Sequence, residues 1–141
     1  MRLDLLAEEV AASVRADECE VIAEPTAAVV VHADMPLLRQ ALDNVVRNAV
    51  RRASRVELHT SRDGHDGVVT ICDNGGGFDP AALTTIFERF QRGDRRGEVG
   101  IGLAIVKAIV TAHGGTVSAR NGDTGGAVVE FRIPIAPEFA G

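Results

Sequence analysis

Three short stretches of this chain combine residue types that could bind or transfer a charged group. Asp73-Asn74-Gly75-Gly76-Gly77-Phe78 stands directly behind the apolar run Val68-Val69-Thr70-Ile71-Cys72. An acid at a strand end can accept a hydrogen bond from an exocyclic amine, and glycines let backbone approach a flat ring or a phosphate without a Cβ in the way. A glycine run after a strand is equally the signature of a turn. Asn44 and Asn48 lie one helical turn apart and share a stripe, with Arg51 a further turn along. An amide oxygen is a hard, neutral ligand suited to a Mg²⁺ ion that already carries water and phosphate oxygens, and Arg51 and Arg52 could meet phosphate charge. A plain solvated helix face is the alternative, although asparagine is a poor helix former. Gly100-Ile101-Gly102 precedes an apolar helix whose first N–H groups lack intrahelical partners. With the helix dipole they make an anion site, or the glycines simply start the helix. Arg89, Arg92, Arg95 and Arg96 form a basic patch just before it.

The elements that must position these residues are read from periodicity. Leu3, Leu6, Val10 and Val14 predict a helix over 2–15, and AAVVVHA over 27–33 reads as a short strand. Asp34 is the expected N-cap of a helix running to about Ala53, with Leu38, Leu42, Val45, Val46 and Ala49 as its apolar face. Strict alternation follows at 56–61, 68–73, 116–120 and 128–135, with Gly64, Gly67 and later Asn121-Gly122 and Gly125-Gly126 supplying the turns of two hairpins. The helix 101–113 is apolar nearly all round and ends at Gly114-Gly115. One-sided alternation in this many strands predicts a two-layer α/β sandwich, in which a mostly antiparallel sheet is covered on one face by helices. Ile86 and Phe87, with Phe90, are spaced to anchor one end of the long polar stretch 79–100 in the core.

Composition narrows the field. At 141 residues the chain fits a single domain, and 45% hydrophobic against 25% charged residues makes it globular. Its formal charge of −5 argues against a nucleic-acid partner, since a duplex needs a basic face. No apolar run is long enough to span a bilayer and Met1-Arg2-Leu3-Asp4 does not open a signal peptide. Cys19 and Cys72 lack metal-ligand spacing and read as free thiols in a reducing compartment, which places the domain in the cytoplasm.

The order and spacing of these stretches resemble the catalytic and ATP-binding domain of two-component sensor histidine kinases, of the GHKL or Bergerat superfamily. Asn44-Val45-Val46-Arg47-Asn48-Ala49 is similar to the family's N box, Asp73-Asn74-Gly75-Gly76-Gly77 to its first glycine box, Ile86-Phe87-Glu88-Arg89-Phe90 to its F box, and Gly100-Ile101-Gly102-Leu103-Ala104-Ile105-Val106 to its second glycine box. The resemblance covers essentially the whole chain and implies the family's mixed α/β sandwich, the Bergerat fold. By it, Asp73 binds the adenine amine, and Gly75 and Gly77 line the base pocket. Asn48 coordinates Mg²⁺, with Asn44 assisting and Arg51 at the phosphates. Gly100, Ile101, Gly102 and Leu103 meet the nucleotide, as do Phe90 and Arg92, the latter at the γ-phosphate; residues 91–99 form an ATP lid. The chain departs from the pattern at Glu98 and Val99, where a glycine and a small hydroxyl residue are common. It departs again at Arg52, where many relatives carry an aromatic or His residue near the nucleotide.

The implied activity is that of a protein-histidine kinase catalytic domain, in which Mg²⁺, arginines and helix N–H groups neutralise phosphoryl charge. His32, His59, His65 and His113 all lack the helical context of the family's acceptor. The acceptor histidine is therefore expected on a separate dimerisation domain, with residues 1–15 near the junction. A response regulator follows as the next partner, and the domain itself is expected to be monomeric within a dimeric parent, as the cytosolic part of a sensor that is either soluble or membrane-bound. Two other readings stay open: an anti-sigma-factor-like serine kinase that holds a partner protein, and a GHKL ATPase. In the ATPases a Glu at the Asn44 position is the general base, a role an amide cannot fill.

Overall fold

A computed structural model describes residues 1–14, 19–25, 27–83, 85–87, 98–123 and 125–137; of Pro25 and residues 98–102 only the backbone is described. Helix α1 (Leu3–Ser13) buries Leu3, Leu6, Ala7 and Val10 at the spacing that marks its apolar stripe. Helix α2 (Met35–Val50) begins where Asp34 accepts a hydrogen bond from the Leu37 N–H, 3.1 Å, with Pro36 in the first turn where its missing N–H costs nothing. It buries Leu38, Ala41, Leu42, Val45, Val46 and Ala49, and ends three residues short of the expected Ala53. Helix α3 (Glu98–Ala112) starts three residues earlier than its apolar run and closes on Gly114 at φ +78°, with the Gly115 N–H bonded back to the Val110 carbonyl, 3.0 Å.

Five strands form one sheet among the described residues: β1 (Glu20–Pro25), β2 (Arg55–Asp63), β3 (Asp66–Asp73), β4 (Thr116–Asn121) and β5 (Ala127–Pro134), in the order β1-β2-β3-β5-β4. The four strands legible as alternating runs pair antiparallel. β1 is a fifth strand, missed in the sequence, that lies parallel to β2 on the sheet edge. Its Val21, Ile22 and Ala23 are only half-buried, so no alternating face marks it. The expected strand at 27–33 is not a ladder strand. Val30 and Val31 form isolated bridges to Arg2 and Ile135, and Val29 and Val31 sink into the core, so this run pins the start of α1 against the end of β5.

The inward face of the sheet (Val56, Leu58, Val69, Ile71, Val129, Phe131, Ile133) joins the buried stripes of all three helices in one aliphatic core, in which Phe131 is the largest fully buried side chain. The fold is the expected mixed α+β sandwich. On the outer face charges pair instead, as where Arg132 meets Asp63 at 2.6 Å and Glu130 at 3.3 Å.

Candidate functional site

Asp73 is the last residue of β3 and pairs with Val56 of β2. Strand parity puts it on the face of Ile71, toward the helices. Its side chain is only 3% exposed. Oδ1 accepts from the Gly75 N–H at 2.9 Å and the Ala127 N–H at 3.1 Å, so the loop after β3 and the first residue of β5 together fix the carboxylate. Oδ2 faces the end of α2, where Arg52 Nη2 donates to it at 3.3 Å. The Arg52 guanidinium also lies over the Phe78 ring, 4.5 Å from its centroid.

The glycine loop is held open by close backbone packing. A Cβ on Gly75 would stand 2.5 Å from the Arg52 carbonyl oxygen, and Gly77 sits at φ +79°, where a Cβ would come within 2.7 Å of Asn121 Oδ1. Two asparagines clamp the loop. Asn74 Oδ1 accepts from the Ser54 and Arg55 N–H groups (2.9 and 3.0 Å) while its Nδ2 donates to Ser54 Oγ, 2.9 Å, tying the loop to the start of β2. Asn121, at the end of β4, accepts from the Phe78 N–H at 2.8 Å and donates to the Phe78 carbonyl at 3.0 Å. Sequence reasoning missed both clamps. Asn121 reads locally as a turn residue beside Gly122, and nothing nearby links it to a residue 43 positions earlier.

Asn44 and Asn48 are half-buried and flank the apolar stripe of α2. Four residues on from Asn48, just past the C-cap of α2, comes Arg52, whose guanidinium touches Asp73. Among the described residues no hydrogen bond engages either asparagine amide. Two half-buried neutral amide oxygens on one stripe of α2 fit a Mg²⁺ ion that brings its own waters and phosphate oxygens. Arg51 is the exposed C-cap of α2, and Arg47 pairs with Asp43 at 2.7 Å instead.

The second glycine stretch lies inside α3 rather than ahead of it. Gly100 falls in the first turn, where N–H groups are still without intrahelical acceptors, and Gly102 one residue beyond that turn. Leu103 is buried in the core, and Ile101 falls among the residues described by backbone alone. Phe90, Arg92 and positions 91–97 of the expected lid lie outside the described residues, while Glu98 and Val99 are helical. Ile86 enters the core and Phe87 packs against it, as their spacing implies.

Other chemistries find little support among the described residues. Cys19 and Cys72 are unpaired, and burial pushes both thiols above the usual range, away from a nucleophilic thiolate. His113 accepts from the Asp34 N–H at 3.0 Å through Nε2, so Nδ1 carries the proton and donates to the Ile109 carbonyl, 2.8 Å; it joins the end of α3 to the start of α2. His59 stands with Glu24 and Glu57 on the outer face of the sheet, but Arg55 already neutralises Glu57 at 2.7 Å. Among the described residues no helix is long and apolar enough to cross a membrane.

Residues 33–137 match the family model described as histidine kinase-, DNA gyrase B- and HSP90-like ATPase. Over 123 residues the chain is 37% identical to the sensor protein KdpD of Escherichia coli, covering 82% of this chain and 14% of KdpD. It thus spans a small part of the curated relatives it matches. The full-length ShkA structure in complex with AMPPNP aligns with a TM-score of 0.83 at 33% identity, over 96% of this chain and 30% of that one. The ATP binding domain of PrrB from Mycobacterium tuberculosis aligns with a TM-score of 0.82 at 28% identity, over 96% of each chain.

Proposed function

We propose, from the premise that this chain belongs to the family of histidine kinase-, DNA gyrase B- and HSP90-like ATPases, that it is the catalytic domain of a two-component sensor kinase. It binds ATP with Mg²⁺ and supplies the γ-phosphate to a histidine on a separate dimerisation domain, from which a response regulator draws the phosphoryl group. The observation that carries this reading is Asp73: an almost fully buried carboxylate with Oδ1 fixed by two backbone N–H groups and Oδ2 turned toward the asparagine helix.

In this reading Asp73 Oδ2 accepts from the adenine amine, and the loop from Gly75 to Gly77 lets the ring lie against backbone. Asn48, assisted by Asn44, would hold Mg²⁺. Held there, Mg²⁺ would supply charge neutralisation to the nucleotide's phosphates. Arg51, the N–H groups around Gly100, Ile101, Gly102 and Leu103, Phe90 of the F box and Arg92 of the 91–99 lid complete the nucleotide contacts. The AMPPNP complex of ShkA supports an adenine nucleotide as ligand. Efficient hydrolysis is disfavoured because Asn44 offers no base to an attacking water, and relatives named as sensor histidine kinases, such as PrrB, favour histidine over serine as acceptor. The working location is the cytoplasm, with the domain monomeric and its parent a homodimer.

Calorimetric titration with a non-hydrolysable ATP analogue, with and without Mg²⁺, tests the assignment. Asp73→Asn is expected to abolish binding, because its amide turns a donor toward the adenine amine. Asn48→Ala is expected to remove mainly the Mg²⁺-dependent part. Variants that both titrate like the parent would sink the site.

A further inference from the structure

The carboxylate oxygen that adenine needs is the one Arg52 holds. Oδ1 of Asp73 is saturated by the Gly75 and Ala127 N–H groups, and the side chain is 3% exposed, so Oδ2 is the acceptor left to a ligand. Arg52 Nη2 reaches it at 3.3 Å, and the same guanidinium covers Phe78, the residue that closes the glycine loop. We infer that Arg52 is an internal competitor of the base: it sets the affinity and selectivity of the site by occupying Asp73 until an adenine amine displaces it. The inference rests on the proposed role of Asp73 and extends it to regulation of the same site.

Geometry makes the exchange feasible in both directions. Arg52 follows the C-cap of α2, and its carbonyl packs so closely on Gly75 that a Cβ there would stand 2.5 Å away, which holds its backbone near the carboxylate. A tethered competitor acts at high effective concentration. Its resting place is also incompletely satisfied. Nε is buried without a hydrogen-bond partner, whereas the side chain as a whole is 27% exposed, so the guanidinium gains water on leaving. Phe78 supplies a face on which the displaced plane or an incoming ring can stack, one at a time. The apparent dissociation constant is therefore the intrinsic one divided by the fraction of molecules with Arg52 released. Because the contest is for the base end, it taxes adenosine, ADP and ATP alike and is indifferent to Mg²⁺.

The test is titration of the parent domain and Arg52→Met with adenosine, ADP and ATP. Methionine keeps an apolar stem against Phe78 and removes the charge and the donors. The variant's Kd is expected to fall about 1.5- to 5-fold for all three ligands, the range left after solvent screening of a partly exposed pair. Arg52→Lys, which retains the charge, is expected to stay near the parent. Adenosine is neutral, so its affinity for the parent should rise with salt as the ion pair is screened, and that slope should vanish in Arg52→Met. If Arg52→Met folds poorly, the salt slope of the parent decides alone: a flat slope overturns the inference. Equal or weaker adenosine binding by a folded Arg52→Met also overturns it. A parent that binds none of the three ligands refutes the proposed function, and the competitor with it; a parent that binds and a variant that gains nothing refutes the competitor only.

Discussion

Asn121 is the residue through which tertiary structure controls the glycine loop, and Asn121→Ala isolates that control. The side chain makes two hydrogen bonds, 2.8 Å from the Phe78 N–H and 3.0 Å to the Phe78 carbonyl, both part-buried. Each bond between neutral groups contributes about 0.5–1.5 kcal/mol, so the truncation should cost about 1–3 kcal/mol. For a chain of this length that lowers the melting midpoint by about 3–10 °C. Asn121→Asp provides the internal control. At neutral pH it keeps an acceptor for the Phe78 N–H but sets a second oxygen against the Phe78 carbonyl. It should therefore melt no higher than the alanine variant, and regain midpoint on acidification, when the protonated carboxyl can donate. Because Phe78 ends the loop proposed to line the base pocket, adenosine and ATP should weaken together in Asn121→Ala, with or without Mg²⁺. Scanning calorimetry and adenosine titration read both effects. An alanine variant that melts within about 1 °C of the parent and binds adenosine equally would refute the clamp.

Two further outcomes follow from the same geometry. Gly77→Ala should destabilise by about 1–2 kcal/mol through its positive φ alone, more with the clash against Asn121 Oδ1, whereas Gly76→Ala, with no atom within 4 Å of the added Cβ, should be near neutral; equal denaturant midpoints for the pair would contradict the packing. Asp4 is buried and bonded by Arg2 at 2.9 and 2.6 Å and by the Val29 N–H at 3.2 Å, and the Arg2 guanidinium holds its carboxyl below the usual range. A depressed folded pKa means that its stabilisation is complete above the unfolded value of about 3.9 and is lost as pH falls through the lower folded value. The midpoint difference between the parent and Asp4→Asn should thus stay level from about pH 5 to 8 and shrink below about pH 4; a difference that shrinks near neutrality would rule the pairing out.

Much of this protein is written in local pattern. The apolar stripes of α1 and α2, the Asp34 cap, both hairpins and the glycine end of α3 depend on contacts within a few residues, and backbone periodicity records those. Asp73 belongs to the same class, since alternation along Val69, Ile71 and Asp73 already assigns the acid to the inward face. What periodicity cannot carry is pairing between distant segments. The edge strand Glu20–Pro25 takes its place from a parallel partner and has no buried face of its own, while the more apolar run at 27–33 became a brace for α1. Arg52 and Asp73 lie 21 positions apart and Asn121 and Phe78 lie 43, so chain closure alone brings each pair together. The type of chemistry was therefore local information, held in an acid, two asparagines and glycines at set spacings. Which groups reach that acid, and what clamps its loop, was decided only when the sheet and α2 packed against each other.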